Sequence, residues 1–217
     1  QKGIQKMLHH RKRFGIYIIA VTAALAVVSM VFYYSISRRL VPTRKFYPDF
    51  GIYIPANYSI HGIDVSRYQK DISWQDVKDM KVNNAAIGFA FIKATEGTVK
   101  VDAFFHRNMK AAKDAGIKRG AYHFFSPVQS GTLQAENFIE TADLETGDLP
   151  PVLDAEQGNG VPVPALQTAI AEWLAIAEKK YGAKPIIYTN INFYKRVLAV
   201  KFYDYPLCIA HFNIKEK

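Results

Sequence analysis

Two carboxylates stand one residue apart at the end of an apolar run, Asp154 and Glu156 in "DLPPVLDAEQG". On an extended strand alternate side chains share a face, so the two would project together about 6 to 7 Å apart at Cα. That spacing suits acids that cut a glycosidic bond, one protonating the leaving oxygen and the other stabilising or attacking the developing cation. The alternative is an ordinary strand end entering an acidic loop, but like charges held close are costly unless they interact or share a function. Glu156, flanked by apolar side chains, is the better candidate for a raised pKa and proton donation. Asp154 is expected to stay ionised, and the site to work best below neutral pH.

Similar polar residues close five other apolar runs. Asp64 follows "HGI", where it is a third rim carboxylate or caps a turn with Ser66. Lys93, Thr95 and Glu96 follow "GFAFI" and read equally as rim contacts or a solvated turn. His123 follows "GAY" and reads equally as a substrate contact or a satisfied structural histidine. Tyr188 and Asn190 follow "KPII", and His211 follows "PLCIA". Tyr122 and Tyr188 suit a sugar-stacking wall. Metal binding is not supported: only three histidines follow His61, and no His-x-x-x-His or cysteine pair occurs. No serine nucleophile elbow or phosphate-cradling glycine loop is present, and no cofactor is expected.

The elements that must position these residues alternate. "HGIDVS", "AAIGFAFIKAT", "IKRGAYHFF", "PPVLDAE", "KPIIYTN" and "YPLCIAHF" read as strands. "SWQDVKDMK", "DAFFHRNMKAAKDAG", "SGTLQAENFIETA", "VPALQTAIAEWLAIAEKKYG" and "INFYKRVLA" read as helices, with Ser73 as an N-cap and Gly116 as a stop. Strands alternating with helices imply an α/β fold with a parallel sheet, here a TIM-like β/α barrel. In such barrels function gathers at the C-terminal strand ends, where the polar residues above fall.

The chain of 217 residues carries a formal net charge of +9, but the excess is local. Residues 1–60 hold nine of the 28 Lys and Arg against Asp49 alone, which leaves the remainder nearly neutral and argues against nucleic-acid binding. The basic residues flank an uncharged run, Phe14 to Ser37, whose apolar part is long enough for a helix to cross a bilayer, which takes roughly 20 residues. It exceeds the apolar core of a secretory signal and lacks a small-residue cleavage pattern. Residues 1–13 then read as a basic cytoplasmic N-terminus, 14–37 as a transmembrane signal anchor and 38–60 as a proline-punctuated linker without sustained period. Residues 61–217 read as the catalytic domain, exported to the periplasm or cell exterior. Cys208 is the single cysteine, so no intramolecular disulfide is available.

In family order, "HGIDVSRYQ" with "ISWQDVK", "FAFIKATEGT", "RGAYHFF", "PPVLDAE", "KPIIYTN" and "PLCIAHFN" resemble the family 25 glycoside hydrolases, the Chalaropsis-type lysozymes. The resemblance spans residues 61–213. It implies a β/α barrel that hydrolyses the β-1,4 bond between N-acetylmuramic acid and N-acetylglucosamine in peptidoglycan, with Glu156 as general acid, Asp154 as partner carboxylate and Asp64 lining the cleft. It also implies retention of configuration, assisted by the substrate's N-acetyl group. Cys208 departs from the family's usual aromatic. The closing "WQ" and "VDxN" strands expected after Lys217 do not appear, so the barrel is expected to be incomplete at its C-terminal end. Two other readings stay open: a wall-binding protein that has lost turnover, and a glycosidase for another amino-sugar polymer such as chitin.

Overall fold

A computed structural model of the chain describes residues 21–35, 44–47, 52–55, 58, 60–82 and 85–210. Two compact units divide it, Gln1–Tyr58 and Ser59–Lys217.

In the first unit, residues 21–35 form a helix, α1, with every side chain exposed. Residues 14–20 and 36–37 of the expected anchor lie outside the described residues, and no helix among the described residues is long and apolar enough to cross a membrane. The expected linker contains a hairpin. Strands β1 (Arg44–Tyr47) and β2 (Ile52–Pro55) pair antiparallel, with Phe46 opposite Tyr53 and their rings 5.0 Å apart. A cross-strand aromatic pair favours pairing in segments too short to show a convincing period.

In the second unit the elements follow the expected alternation. Strand β3 (Ile60–Val65) leads through a 3-10 turn, Arg67–Gln69, to helix α2 (Trp74–Asp79). Then come β4 (Lys81–Val82), β5 (Ala85–Glu96), β6 (Lys100–Val101), α3 (Phe105–Asp114) and β7 (Lys118–Phe124). Helix α4 (Gly131–Thr141), β8 (Val152–Asp154), α5 (Val163–Tyr181) and β9 (Ile186–Asn190) follow. A short α6 (Ile191–Phe193) runs into a π turn, Tyr194–Leu198, before β10 (Leu207–Ala210). The caps are those the sequence calls for. Ser73 accepts from the Asp76 amide, and α5 stops at Gly182 in the left-handed region, φ 67°.

Six strands, β3, β5, β7, β8, β9 and β10, pair in parallel in chain order, while β4 and β6 add short antiparallel pairs to β5. A closed TIM barrel takes eight parallel strands. Here β3 and β10 stand at the two ends of the strand order, and the expected barrel is a curled parallel half-barrel. Two glycines let its concave face carry aromatics. A Cβ at Gly62 would lie 2.1 Å from the Phe89 ring, and one at Gly120 would lie 2.7 Å from the Phe91 ring. The convex face is buried beneath the helices around Trp173, Phe138, Ile170 and Leu174 from α4 and α5, against Ile92, Leu153 and Ile187 from the sheet. Away from the C-terminal strand ends, Arg119 grips Asp148 through two nitrogens at 2.8 and 3.2 Å, and both side chains are below 10% exposure.

Candidate active site

The acid strand ends where its neighbours end. Phe124 on β7 is the register partner of Asp154 on β8, Asp154 pairs with Tyr188 on β9, and Tyr188 pairs with Cys208 on β10. Partners in a parallel sheet share a face, so these four residues form one row on the concave side. β8 ends at Asp154, yet pairing continues one residue further. The Phe125 amide donates to the Asp154 carbonyl and the Ala155 amide to the Tyr188 carbonyl, each at 2.9 Å. Alternation therefore persists: Ala155 is fully buried, while Asp154 and Glu156 open into one cavity of about 550 Å3. Asp64, Tyr122, Tyr188 and Cys208 also line it, above an apolar floor that includes Phe89 and Phe91.

The acid loop is held from β9. Thr189 Oγ1 donates to the Ala155 carbonyl at 2.6 Å, and Asn190 Nδ2 donates to the Glu156 carbonyl at 3.0 Å. Asn190 Oδ1 also accepts from the Phe193 amide at 2.9 Å and so caps α6. Asn190 thereby ties the acid loop to the start of α6.

Asp154 Oδ1 and Glu156 Oε1 are shut from solvent and have no hydrogen-bond partner among the described residues. Buried polar atoms are nearly always paired, and the exceptions gather where function needs them free. Burial pushes the Asp154 carboxyl up to about 8, with the Glu156 charge adding to the shift and Lys93 opposing it. Burial also raises Glu156, moderated by the Asn190 amide. Both carboxyls are thus raised by burial, Asp154 at the strand end inside the sheet and Glu156 on the more open loop. Burial raises Tyr122 and Tyr188 as well, so both phenols stay protonated.

His123 does not reach the cavity. It follows Tyr122 on β7, so alternation turns it to the convex face, where it is fully buried with its ring 5.7 Å from Trp173. Its Nδ1 lies 2.7 Å from Thr95 Oγ1 and its Nε2 lies 3.2 Å from Gln134 Oε1. Gln134 Oε1 also accepts from the Ser126 amide, which makes Nε2 the ring donor and Nδ1 the acceptor from Thr95. Burial lowers the ring to about 4 and keeps it neutral. Of the two readings left open for His123, the geometry supports the structural one.

Lys93 and Glu96 form a rim ion pair at 2.7 Å, and Lys100 joins Glu96 at 2.8 Å. His211 lies outside the described residues. Asp102 was not singled out from the sequence as a site residue. Its buried carboxylate accepts from the Arg67 and Phe104 amides at 2.9 and 3.0 Å, tying the turn after Asp64 to the loop before α3. The floor aromatics were also missed as cavity residues, although an apolar residue two positions before a strand-end polar group is the signal for them. Among the described residues no group of three or more His, Cys, Asp or Glu side chains is arranged to hold a metal ion.

A curled parallel sheet that gathers unpaired carboxyls at its C-terminal strand ends, between aromatic walls, defines a glycoside-hydrolase site. Residues 63–217 match the family model described as glycosyl hydrolases family 25, and the chain belongs to that family. It is an enzyme of the lysozyme type. The chain is 40% identical to the Escherichia coli protein YegX over 96% of its own length and 80% of that protein. It is 36% identical to Lysozyme M1 of Streptomyces globisporus over 74% of this chain and 58% of that one. Among solved structures, a family 25 glycosyl hydrolase from Bacillus anthracis superposes with a TM-score of 0.66 at 34% identity, covering 71% of each chain. A lysozyme from Streptomyces coelicolor superposes at 0.65 and 32% identity, covering 73% of this chain and 77% of that one.

Proposed function

We propose that the chain is an N-acetylmuramidase that hydrolyses the β-1,4 bond between N-acetylmuramic acid and N-acetylglucosamine in peptidoglycan. The observation that carries the reading is the carboxyl pair, Asp154 and Glu156, which line one cavity and each keep one buried oxygen unpaired among the described residues. Family membership and the lysozyme relatives support the substrate class.

Glu156, the more accessible acid, delivers its proton to the leaving oxygen and later takes one back from water. Asp154 faces the developing positive charge together with the substrate's own N-acetyl group, and Asp64, which lines the same cavity, adds a third carboxylate. Tyr122 and Tyr188 supply flat faces for sugar rings. Burial raises both acids, and the competent arrangement is protonated Glu156 beside ionised Asp154. Positive charge developing on the sugar stabilises the Asp154 carboxylate and pulls the distribution toward that form. The limbs of the pH profile then belong to the pair and to neither residue alone.

The test is reducing-end release from purified peptidoglycan across roughly pH 4 to 8, with chitin in parallel and Glu156→Gln as control. Release from peptidoglycan that disappears in Glu156→Gln supports the reading. Release from chitin alone reassigns the substrate, and wall binding without release by the folded protein leaves a binding module.

The uncharged run over 14–37 and the exposed apolar helix over its described part support an N-terminal membrane anchor, with the catalytic unit in the periplasm or outside the cell. Recovery in the membrane fraction after alkaline washing, together with protease access to the catalytic unit only from outside, is the expected result. Release by alkali sinks the anchor.

A further inference from the structure

Lys93 stands on the concave side of β5 opposite Tyr122, and a β-bulge brings Glu96 to it. Lys93 is the register partner of Tyr122, but Thr95 pairs with His123, so the pairing of β5 with β7 slips by one residue at Ala94. The slip sends Thr95 to the convex face with His123 and returns Glu96 to the concave side opposite Phe124. Lys93 and Glu96, three residues apart, thereby meet on one face at 2.7 Å. The Lys93 ammonium also lies 4.7 Å from the centre of the Phe124 ring, and Phe124 is the register partner of Asp154. Its side chain is only 12% exposed, unlike Lys100 at 68%, and it lies outside the cavity lining. A lysine so enclosed, with an anion on one side and an aromatic face on the other, has little freedom to leave for a ligand.

We propose that Lys93 is a positioning residue whose charge, fixed by Glu96 and the Phe124 ring, sets how the proton is divided between Asp154 and Glu156. The charged and titratable groups around the pair come from every neighbouring strand: Asp64 on β3, Lys93 and Glu96 on β5, Tyr122 on β7, Tyr188 on β9 and Cys208 on β10. Lys93 is the cation among those acting on Asp154. Its charge favours ionised Asp154 and so enlarges the share of the pair in which Glu156 holds the proton. Glu96 has a second role, since it partly neutralises Lys93 and limits that effect.

The inference rests on the muramidase reading for its catalytic consequence, but its electrostatic content is measurable without turnover. Carboxyl-carbon NMR of Asp154 is followed against pH in the full chain and in Lys93→Gln, Lys93→Arg and Glu96→Gln. Lys93→Gln is expected to move the Asp154 midpoint up by about one pH unit. Glu96→Gln is expected to move it down, and Lys93→Arg to leave it within a few tenths. In parallel, Lys93→Gln is expected to lower peak reducing-end release several-fold and carry the alkaline limb upward, with Lys93→Arg restoring the limb. Opposite-signed shifts in an inactive protein uphold the inference and sink the muramidase reading. An Asp154 midpoint that ignores Lys93→Gln, or Glu96→Gln shifting it upward, overturns the inference whatever the activity. If Lys93→Gln fails to fold, as thermal melting reports, the Glu96→Gln shift decides alone.

Discussion

Replacing Asp154 by Asn should make the protein more stable, and increasingly so as the pH rises. The Asp154 carboxyl has an ordinary value of about 3.9 in an unfolded chain and is pushed up to about 8 in the fold. Between those values the unfolded chain has released the proton and the folded chain has not. Stability changes with pH in proportion to protons bound unfolded minus protons bound folded, here negative, so stability falls as pH rises from about 4 to 8 and is flat beyond. At pH 7 the loss is (7 − 3.9) × 1.36, about 4 kcal/mol, as an upper bound. Solvent entering the open cavity reduces it, and about 2 kcal/mol is expected. Asn has the same shape and no charge, so it escapes the loss. Urea denaturation of both proteins, followed by fluorescence of the buried Trp74 and Trp173, should give curves within ~1 kcal/mol at pH 4. The Asn variant should lead by ~2 kcal/mol at pH 7 and by more at pH 9. A lead that does not grow with pH would show that Asp154 is already ionised in the fold, and the deep, proton-holding carboxyl would have to be abandoned.

His123 acts with the opposite sign. Its ring is lowered to about 4, so below its ordinary value of about 6.5 the unfolded chain binds a proton that the fold refuses, and stability should drop by about 3 kcal/mol between pH 6.5 and 4. His123→Gln should flatten that part of the stability curve, and an unchanged slope would refute a buried neutral ring. Asn190→Ala removes both the cap of α6 and the donor to the Glu156 carbonyl, and should cost about 1–2 kcal/mol together with most of kcat. Asn190→Asp keeps the cap acceptor without the donor, so it should recover the stability but not the rate. If it recovers both, Asn190 merely caps.

Much of the site was legible in order along the chain. Each strand end carries its polar residue, and alternation alone puts Asp154 and Glu156 on one face with Ala155 on the other, as the structure has them. The same alternation applied to Tyr122 and His123 would have turned the histidine away from the cleft, since two neighbours on one strand cannot both face it. The helices were legible because their apolar spacing and their stops at Gly116 and Gly182 are local. The hairpin over Arg44–Tyr47 and Ile52–Pro55 was not, because four-residue strands are too short to establish a period and are recognised by their partner.

The sequence by itself determined the α/β alternation, the acids, their shared face and the family, all properties of neighbouring residues or of motif order. Tertiary structure alone decided three things. Among the described residues the parallel sheet curls from β3 to β10 as a half-barrel, because the pairing partner of each strand lies far away along the chain. The slip at Ala94 brings Lys93 and Glu96 together, because a bulge exists only relative to the partner strand. Burial raises the Asp154 carboxyl, because desolvation is set by atoms arriving from β7 and β9, far away along the chain.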